Sequence, residues 1–239
     1  MRGAAGNPYA FLSGSALKVI ALAAMTLDHV ARFILAGIPG FRQVLFSIHG
    51  HNYSWCTILN CIGRSAFPLF AFLLAEGYIH THDRRKYGLR LLAFALISEI
   101  PWNLVHTGAL FYGRQNVFFT LFLGYLGICA WEGFKDCQRK QWGAILGLLA
   151  VSYFLKADYS YLGFLSILLL YLLRTSRLAQ GLGTICMNTS HLMCIPAAAC
   201  MCLYNGRRGF IGGNVFKYFF YAYYPLHLLV LWAARLMIQ

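Results

Sequence analysis

Runs of about 20 mostly apolar residues recur along the chain, separated by short polar or basic turns, and each is long enough for a helix to cross a bilayer. The runs are continuous rather than alternating, which favours helices over a barrel. They predict spans at 15–36, 55–79, 87–105, 115–134, 141–155, 161–173, 182–203 and 215–237. The polar hinge at Lys156-Ala-Asp158-Tyr-Ser leaves room for one span more or fewer than the ~eight counted. Pro101 predicts a break in the third span, because a helical proline frees a backbone carbonyl. Residues 1–14 read as a short, partly disordered cytoplasmic segment ahead of a single transmembrane domain at 15–239. No cleavable signal peptide is evident, since the first apolar run is full length. The predicted fold class is all-α, a polytopic integral membrane helical bundle around a polar cavity.

Two charges lie inside the apolar stretch 60–77, Arg64 and Glu76. Charge at membrane depth is costly, so it normally faces a bundle interior or a wet cavity and finds a partner. Other polar residues fall at a depth similar to Arg64: Asp28 and His29 in the first span, Glu99 and Asn103 in the third, Asn116 and Thr120 opening the fourth. Lys217, Tyr221, Tyr224 and His227 descend the last. One outward-opening cavity that reaches the midplane accommodates them all. Glu76 lies nearer the other end of its span, where an ion pair with Arg90 or another basic residue is expected.

The composition agrees with the pattern. The chain is 59% hydrophobic and 11% charged, with a mean hydropathy of +0.60, whereas a soluble domain carries about 25% charged residues. The net charge of +13 reads as topology signals and contacts to anionic lipid, not as a nucleic-acid site. The eight cysteines contain no CxxC pair, and most sit in apolar runs as small hydrophobes, so no metal site is expected. Spacing alone would permit a Cys56–Cys61 disulfide.

Arg84, Arg85, Lys86 and Arg90 mark one turn as cytoplasmic. Lys135, Arg139 and Lys140, then Arg174 and Arg177, agree at two-span intervals. Both termini are then expected in the cytoplasm. On this count the turn at 204–209 is external, yet Arg207, Arg208 and Lys217 oppose that placement. Either these cations bind an anion or a span is miscounted.

A base, carboxylates, cations and tyrosines around one pocket suit group transfer. In acyl transfer a histidine takes a proton from an attacking amine or hydroxyl, while cationic or polar donors hold the developing oxyanion. A channel would need a continuous polar lining, and the two halves show no repeat of the transporter kind.

Several long segments carry a more specific signal. Residues 17–29 end in Asp28-His29, and 62–77 read Ile-Gly-Arg64-Ser-Ala-Phe-Pro through to Glu76-Gly77. Residues 86–101 include Arg90, Ser98 and Glu99, and Asn116-Val-Phe-Phe-Thr120 follows. Leu203-Tyr-Asn205-Gly-Arg207-Arg-Gly209 and Lys217 through Tyr221, Tyr224 and His227 complete the set. Together they resemble the TraX family over nearly the whole chain. That family is linked to N-terminal acetylation of pilin and is grouped with the transmembrane acyltransferases. The resemblance implies an acetyl-CoA-dependent acyltransferase of the bacterial inner membrane, acting on an amine or hydroxyl outside the cytoplasm, without implying pilin itself.

By position the resemblance makes His29 the candidate general base, Asp28 its electrostatic partner and His227 the competing base. It places Arg64, Glu99, Asn103, Asn116 and Tyr224 in the pocket, with Thr120, Asn205, Lys217 and Tyr221 beside them. The loop bearing His49, His51 and Asn52 is outside the recognised segments and is a candidate for acceptor choice. Donor phosphates fall to Arg84, Arg85, Lys86 and Arg90, or to Arg207 and Arg208 if those face the cytoplasm. Membrane lipid, donor and acceptor are the implied partners, nucleic acid is not, and self-association stays open. A transporter or flippase is the alternative reading, and a non-enzymatic assembly factor a third.

Overall fold

The computed structural model describes residues 9–48, 50–187 and 194–238. His49, Asn188, Thr189 and His191 lie outside the described residues, as does the side chain of Lys217.

Among the described residues the regular structure is helical apart from one hairpin. α1 (Gly14–Phe33) leads through a 3-10 turn (Leu35–Gly37) and α2 (Pro39–Arg42) to an antiparallel pair, β1 (Phe46–Ile48) and β2 (His51–Tyr53). α3 (Trp55–Gly63), α4 (Ala66–His80), α5 (Arg84–Thr107), α6 (Val117–Gly133), α7 (Gln138–Phe154) and α8 (Ser160–Leu172) follow. α9 (Arg177–Met187), α10 (Cys194–Cys202) and α11 (Gly213–Ile238) complete the chain. Among the described residues, three helical stretches are long and apolar enough to cross a membrane: Gly14–Gly37, Trp55–His80 and Arg84–Thr107. Val117–Gly133 and Ser160–Leu172 are shorter apolar helices.

Local chemistry sets the boundaries. Ser13 caps α1 by accepting from the Ala16 amide, and Ser54 caps α3 by accepting from Thr57. The predicted second span is interrupted between α3 and α4. Pro68 stands in the first turn of α4, where its ring conflicts with the carbonyl four residues back, that of Arg64. The Ser65 hydroxyl donates to the Ile62 carbonyl at 2.7 Å and satisfies one acceptor freed by the break. Arg64 therefore sits at a discontinuity, not within a regular helix. Pro101 behaves otherwise: α5 continues through it to Thr107, so the predicted break in the third span is absent.

The segment predicted as one span over 182–203 is two helices. α9 and α10 pack on each other as neighbours in sequence, and at 11 and nine residues each rises only ~14–17 Å. This extra reversal changes the end at which the next loop lies. That loop folds against the start of α1: Leu12 pairs with Tyr204 in a parallel bridge. The Gly14 and Ser15 amides donate to the carbonyls of Arg207 and Arg208 at 2.8 and 2.9 Å. The orphan donors of the first turn of α1 are satisfied in this way. Gly209 turns the loop at φ +89°, and a β-carbon there would meet the Ser13 and Ser15 hydroxyls. These contacts tie Leu12, Gly14 and Ser15 to the 203–208 loop.

α11 runs parallel to α1 and α5. Phe94 stacks on Tyr221 near one end, and Arg235 donates to the Val105 carbonyl near the other. The start of α1 and the finish of α11 therefore lie at opposite ends of the bundle. Arg207 and Arg208 join the Arg84–Lys86, Lys135–Lys140 and Arg174–Arg177 turns at a single basic end. The anomaly in loop charge came from the miscounted span.

The principal core is built by α1, α4, α5, α6, α8, α10 and α11, around Leu17, Leu69, Phe72, Ala95, Ile128, Ile167 and Leu228. Cys56 and Cys61 are free thiols.

Candidate functional site

A cavity of about 180 Å³ lies between the C-terminal half of α1, the α3–α4 break, the N-terminus of α6, the α7–α8 loop and α11. Its polar lining comes from Asp28, His29, Arg32, Arg64, Asp158, Tyr159 and Tyr224. Each arrives by a local device. Asp28 and Arg32 are one helical turn apart on α1 and share a face. Gly63, just before the break, lets α3 approach α1 closely. A β-carbon there would lie 2.9 Å from Asp28 Cα and 3.1 Å from the Ala24 carbonyl oxygen.

Asp158 and Tyr159 are held by a distorted loop. Lys156, Tyr159 and Ser160 all have positive φ (52°, 65° and 43°), a region that non-glycine residues seldom occupy and that costs of order 1 kcal/mol or more each. The loop is pinned to the start of α6. The Asp158 amide donates to the Gln115 carbonyl at 2.9 Å, and the Thr120 hydroxyl donates to the Asp158 carbonyl. Tyr159 stacks on Phe67 at 3.9 Å. Burial pushes the carboxyl of Asp158, in this loop between helices, up to about 6, against the opposing pull of Arg32.

His29 is buried and lies 2.6 Å from His227, Nδ1 to Nε2. The hydrogen-bond chain fixes the tautomers of the neutral rings. His227 Nδ1 stands 3.0 Å from the Tyr223 carbonyl, which can only accept, so this nitrogen carries the proton. His227 Nε2 is then an acceptor, and His29 Nδ1–H donates to it. The unprotonated nitrogen of the pair is left as His29 Nε2, on the residue that lines the cavity. A second group that holds a histidine in its basic tautomer is the arrangement general-base sites use. Here the second group is His227, not Asp28, whose electrostatic neighbours are Arg32 and Arg64.

The remaining predicted site residues separate into three places. Tyr224 lines the cavity, with its hydroxyl toward the Val117 amide but closing no hydrogen bond. Asn116 is the buried N-cap of α6: its side chain accepts from Phe118 at 3.0 Å and donates to Glu99 at 2.6 Å and to the Ala95 carbonyl at 2.8 Å. Asn103 donates to the Leu110 carbonyl at 2.8 Å. Glu99, Asn103 and Asn116 thus secure the α5–α6 connection and do not line the cavity. Thr120 serves the cavity indirectly through the Asp158 loop.

Asn205, Arg207, Arg208, Tyr221 and Arg90 lie toward the basic end. Ser15 to His29 alone spans ~21 Å of helix rise. Asn205 accepts from the Arg207 amide at 2.9 Å and shapes the loop. Arg90 lies 5.9 Å from the Tyr87 ring, Arg84 covers Tyr78 at 4.5 Å, and Lys86 pairs with Asp83 at 3.1 Å, beside Arg85. Glu76 meets the expectation of an ion pair, with Arg177 as its partner at 2.8 Å.

Arg32, Asp158 and Tyr159 were missed as site residues. The signal for the last two was the polar interruption at 156–160 between apolar runs. Among the described residues, no group of three His, Cys, Asp or Glu side chains is placed to hold a metal ion.

Comparison with known proteins gives a consistent picture. A relative from Dichelobacter nodosus, described as "Probable fimbrial assembly protein FimC, serogroup H1", is 28% identical over 254 residues, covering 93% of this chain and 96% of that protein. No solved structure matches. The family model described as "TraX protein" matches residues 13–235, so the chain belongs to the TraX family.

Proposed function

We propose that this protein is a multi-pass acyltransferase of the bacterial inner membrane that moves an acetyl group from acetyl-CoA to an amine or hydroxyl on an acceptor outside the cytoplasm. The observation that carries this reading is the tautomer chain from the Tyr223 carbonyl through His227 to His29. It leaves an unprotonated nitrogen on a histidine that lines a polar cavity. Family membership supports it, and the relative's description as a fimbrial assembly protein is compatible with an acceptor handled at the cell surface.

The cavity suits this chemistry. His29 Nε2 accepts the proton of the attacking group, and His227 keeps the ring oriented and stabilises the imidazolium. Arg32, Arg64 and the Tyr224 hydroxyl present positive charge and a donor where a carbonyl oxygen would gain negative charge. Acetyl-CoA supplies the activated acetyl thioester when bound. The single basic end faces the cytoplasm by the positive-inside rule, so the cavity, at the far half of α1, opens outward. Arg85, Arg90, Arg207 and Arg208 at that basic end would meet the donor's phosphates.

The test is binding and slow hydrolysis of acetyl-CoA by purified protein. His29→Ala is expected to abolish hydrolysis while binding persists, and His227→Ala to lower it. If wild type neither binds nor hydrolyses acetyl-CoA, the reading fails.

A further inference from the structure

The cavity carries two carboxylates, Asp28 and Asp158, and two guanidinium groups, Arg32 and Arg64. Among the described residues none of the four is in an ion pair within 4.0 Å. This contrasts with Glu76, Asp83 and Glu132, each of which closes a salt bridge elsewhere. Opposite charges so near one another collapse into pairs unless something holds them apart. Here the holding is visible. Asp158 sits on the pinned, positive-φ loop, Asp28 on α1 against Gly63, and Arg64 at the α3–α4 break. Four charges of both signs around one small cavity, three of them on constrained backbone, are complementary to a ligand that itself carries both signs.

We propose that the acceptor is a small zwitterionic group, a primary ammonium joined through a short spacer to an anion. The ammonium would lie toward Asp28 and Asp158, beside His29, and the anion toward Arg32 and Arg64. This rests on the acyltransferase reading for the chemical step but not for binding. A compact head group fits about 180 Å³, whereas a long chain would remain outside. The source is either a soluble phosphoamine or amino acid, or a lipid head group of the same chemistry reached from the outer half of the bilayer.

The step balances. The ammonium gives one proton to His29 Nε2, and the freed nitrogen lone pair forms a C–N bond to the thioester carbonyl carbon. The C–S bond breaks, and a second proton from nitrogen passes to the leaving thiolate. The products are an N-acetyl amide, a free thiol and a protonated His29.

Binding is measured first, without acetyl-CoA, by calorimetry on detergent-purified protein. The probes are O-phosphoethanolamine (both charges), ethanolamine (ammonium only) and glycerol 3-phosphate (anion only). O-phosphoethanolamine is expected to bind at least tenfold tighter than either single-charge probe. Arg64→Gln is expected to erase its advantage over ethanolamine, and Asp158→Asn its advantage over glycerol 3-phosphate. Arg32→Gln, at an exposed position, is the second anion-side variant should Arg64→Gln fail to fold. Equal affinities for the three probes, or an advantage unaltered in these variants, would overturn the proposal.

Nanodiscs of phosphatidylethanolamine against phosphatidylglycerol then separate the sources. Competition with soluble probe only in the former assigns a lipid head group, and competition in neither assigns a soluble zwitterion. Acetyl-CoA is added last. Selective binding without N-acetyl product would sink the acyltransferase reading and leave the zwitterion site standing, whereas product from ethanolamine alone would sink the site.

Discussion

Removing one partner of the Glu76–Arg177 pair should destabilise the bundle far more than removing both. Arg177 Nη1 and Nη2 donate to the two carboxylate oxygens at 2.8 and 3.2 Å, and Nη1 also donates to Gln180 at 2.9 Å. The guanidinium lies 5.2 Å from the Phe72 ring and 5.0 Å from the Tyr204 ring. The Glu76 side chain is 7% exposed and that of Arg177 21%. Arg177→Met therefore leaves the more deeply buried charge without its guanidinium, facing only the exposed His80 at 3.8 Å and the Tyr204 side chain, at a cost of ~3–5 kcal/mol. Glu76→Gln costs less, ~1–3 kcal/mol, because Arg177 keeps Gln180, both rings and some water. The Glu76→Leu, Arg177→Met double variant removes both charges and should return to within ~1–2 kcal/mol of wild type, since an apolar replacement of a buried pair is often neutral. Unfolding by sodium dodecyl sulfate in mixed micelles, followed by tryptophan fluorescence, measures all three. Single losses below ~1 kcal/mol, or losses that simply add in the double variant, would show the pair behaves as a surface contact and refute the reasoning.

Other consequences follow from the same geometry. His227→Phe keeps a ring but removes the acceptor for His29 Nδ1–H. The kcat/KM for acetyl transfer should fall ~10²–10⁴-fold with acetyl-CoA affinity unchanged, as read by steady-state kinetics beside calorimetry. Gly63→Ala puts a methyl against the backbone of α1, with the Ala24 carbonyl oxygen 3.1 Å away. Thermal unfolding in detergent should show a loss of ~1–3 kcal/mol, and an unchanged melting point would mean that the α1–α3 approach is looser than described. The Asp83 carboxyl, hydrogen-bonded to the Lys86 amide at the N-cap of α5, lies below its ordinary value of 3.8. A lowered carboxyl stabilises above its unfolded value and loses that contribution as pH falls through the folded one. The melting-point gap between wild type and Asp83→Asn should be full at neutral pH and close in strong acid.

The apolar runs made the helices legible because lipid and core impose one demand, length. That demand also hid the α9–α10 reversal. The run at 182–203 has span length, and its polar residues Thr184, Asn188, Thr189, Ser190 and His191, with Pro196, are scattered among apolar neighbours. Packing of two short helices is a tertiary outcome that length does not encode. The protest registered in the loop charge of Arg207 and Arg208 was correct. Depth grouped Glu99, Asn103 and Asn116 with His29, but depth says nothing of azimuth, and these residues turn toward the α5–α6 connection. Asp28, His29, Arg64 and Tyr224 were recoverable because an ionisable or hydroxyl group in an apolar run costs free energy. Arg32 was not, since an arginine near the end of a span reads as a boundary signal. Asp158 read as a hinge residue, and only the positive-φ backbone reveals that the hinge aims it inward.

Six of the seven acidic residues separate by what surrounds them. Glu76, Asp83 and Glu132 close ion pairs, and Glu99 is held by Asn116. Asp28 and Asp158 line the cavity, and among the described residues neither they nor Arg32 and Arg64 close an ion pair. If those four charges were structural, neutralising one would cost what breaking Glu76–Arg177 costs. If they are held apart for a ligand, they already carry strain and desolvation that the fold must offset, and neutralisation relieves some of it. Asp158→Asn retains both backbone bonds of its loop, to Gln115 and from Thr120, so only the charge changes. The expected outcome is a micellar unfolding free energy within about 0.5 kcal/mol of wild type, or above it, together with lost acceptor binding, as sites built for function commonly trade stability for it. A loss of several kcal/mol with acceptor binding intact would place Asp158 among the structural acids and remove the cavity's claim to be a site.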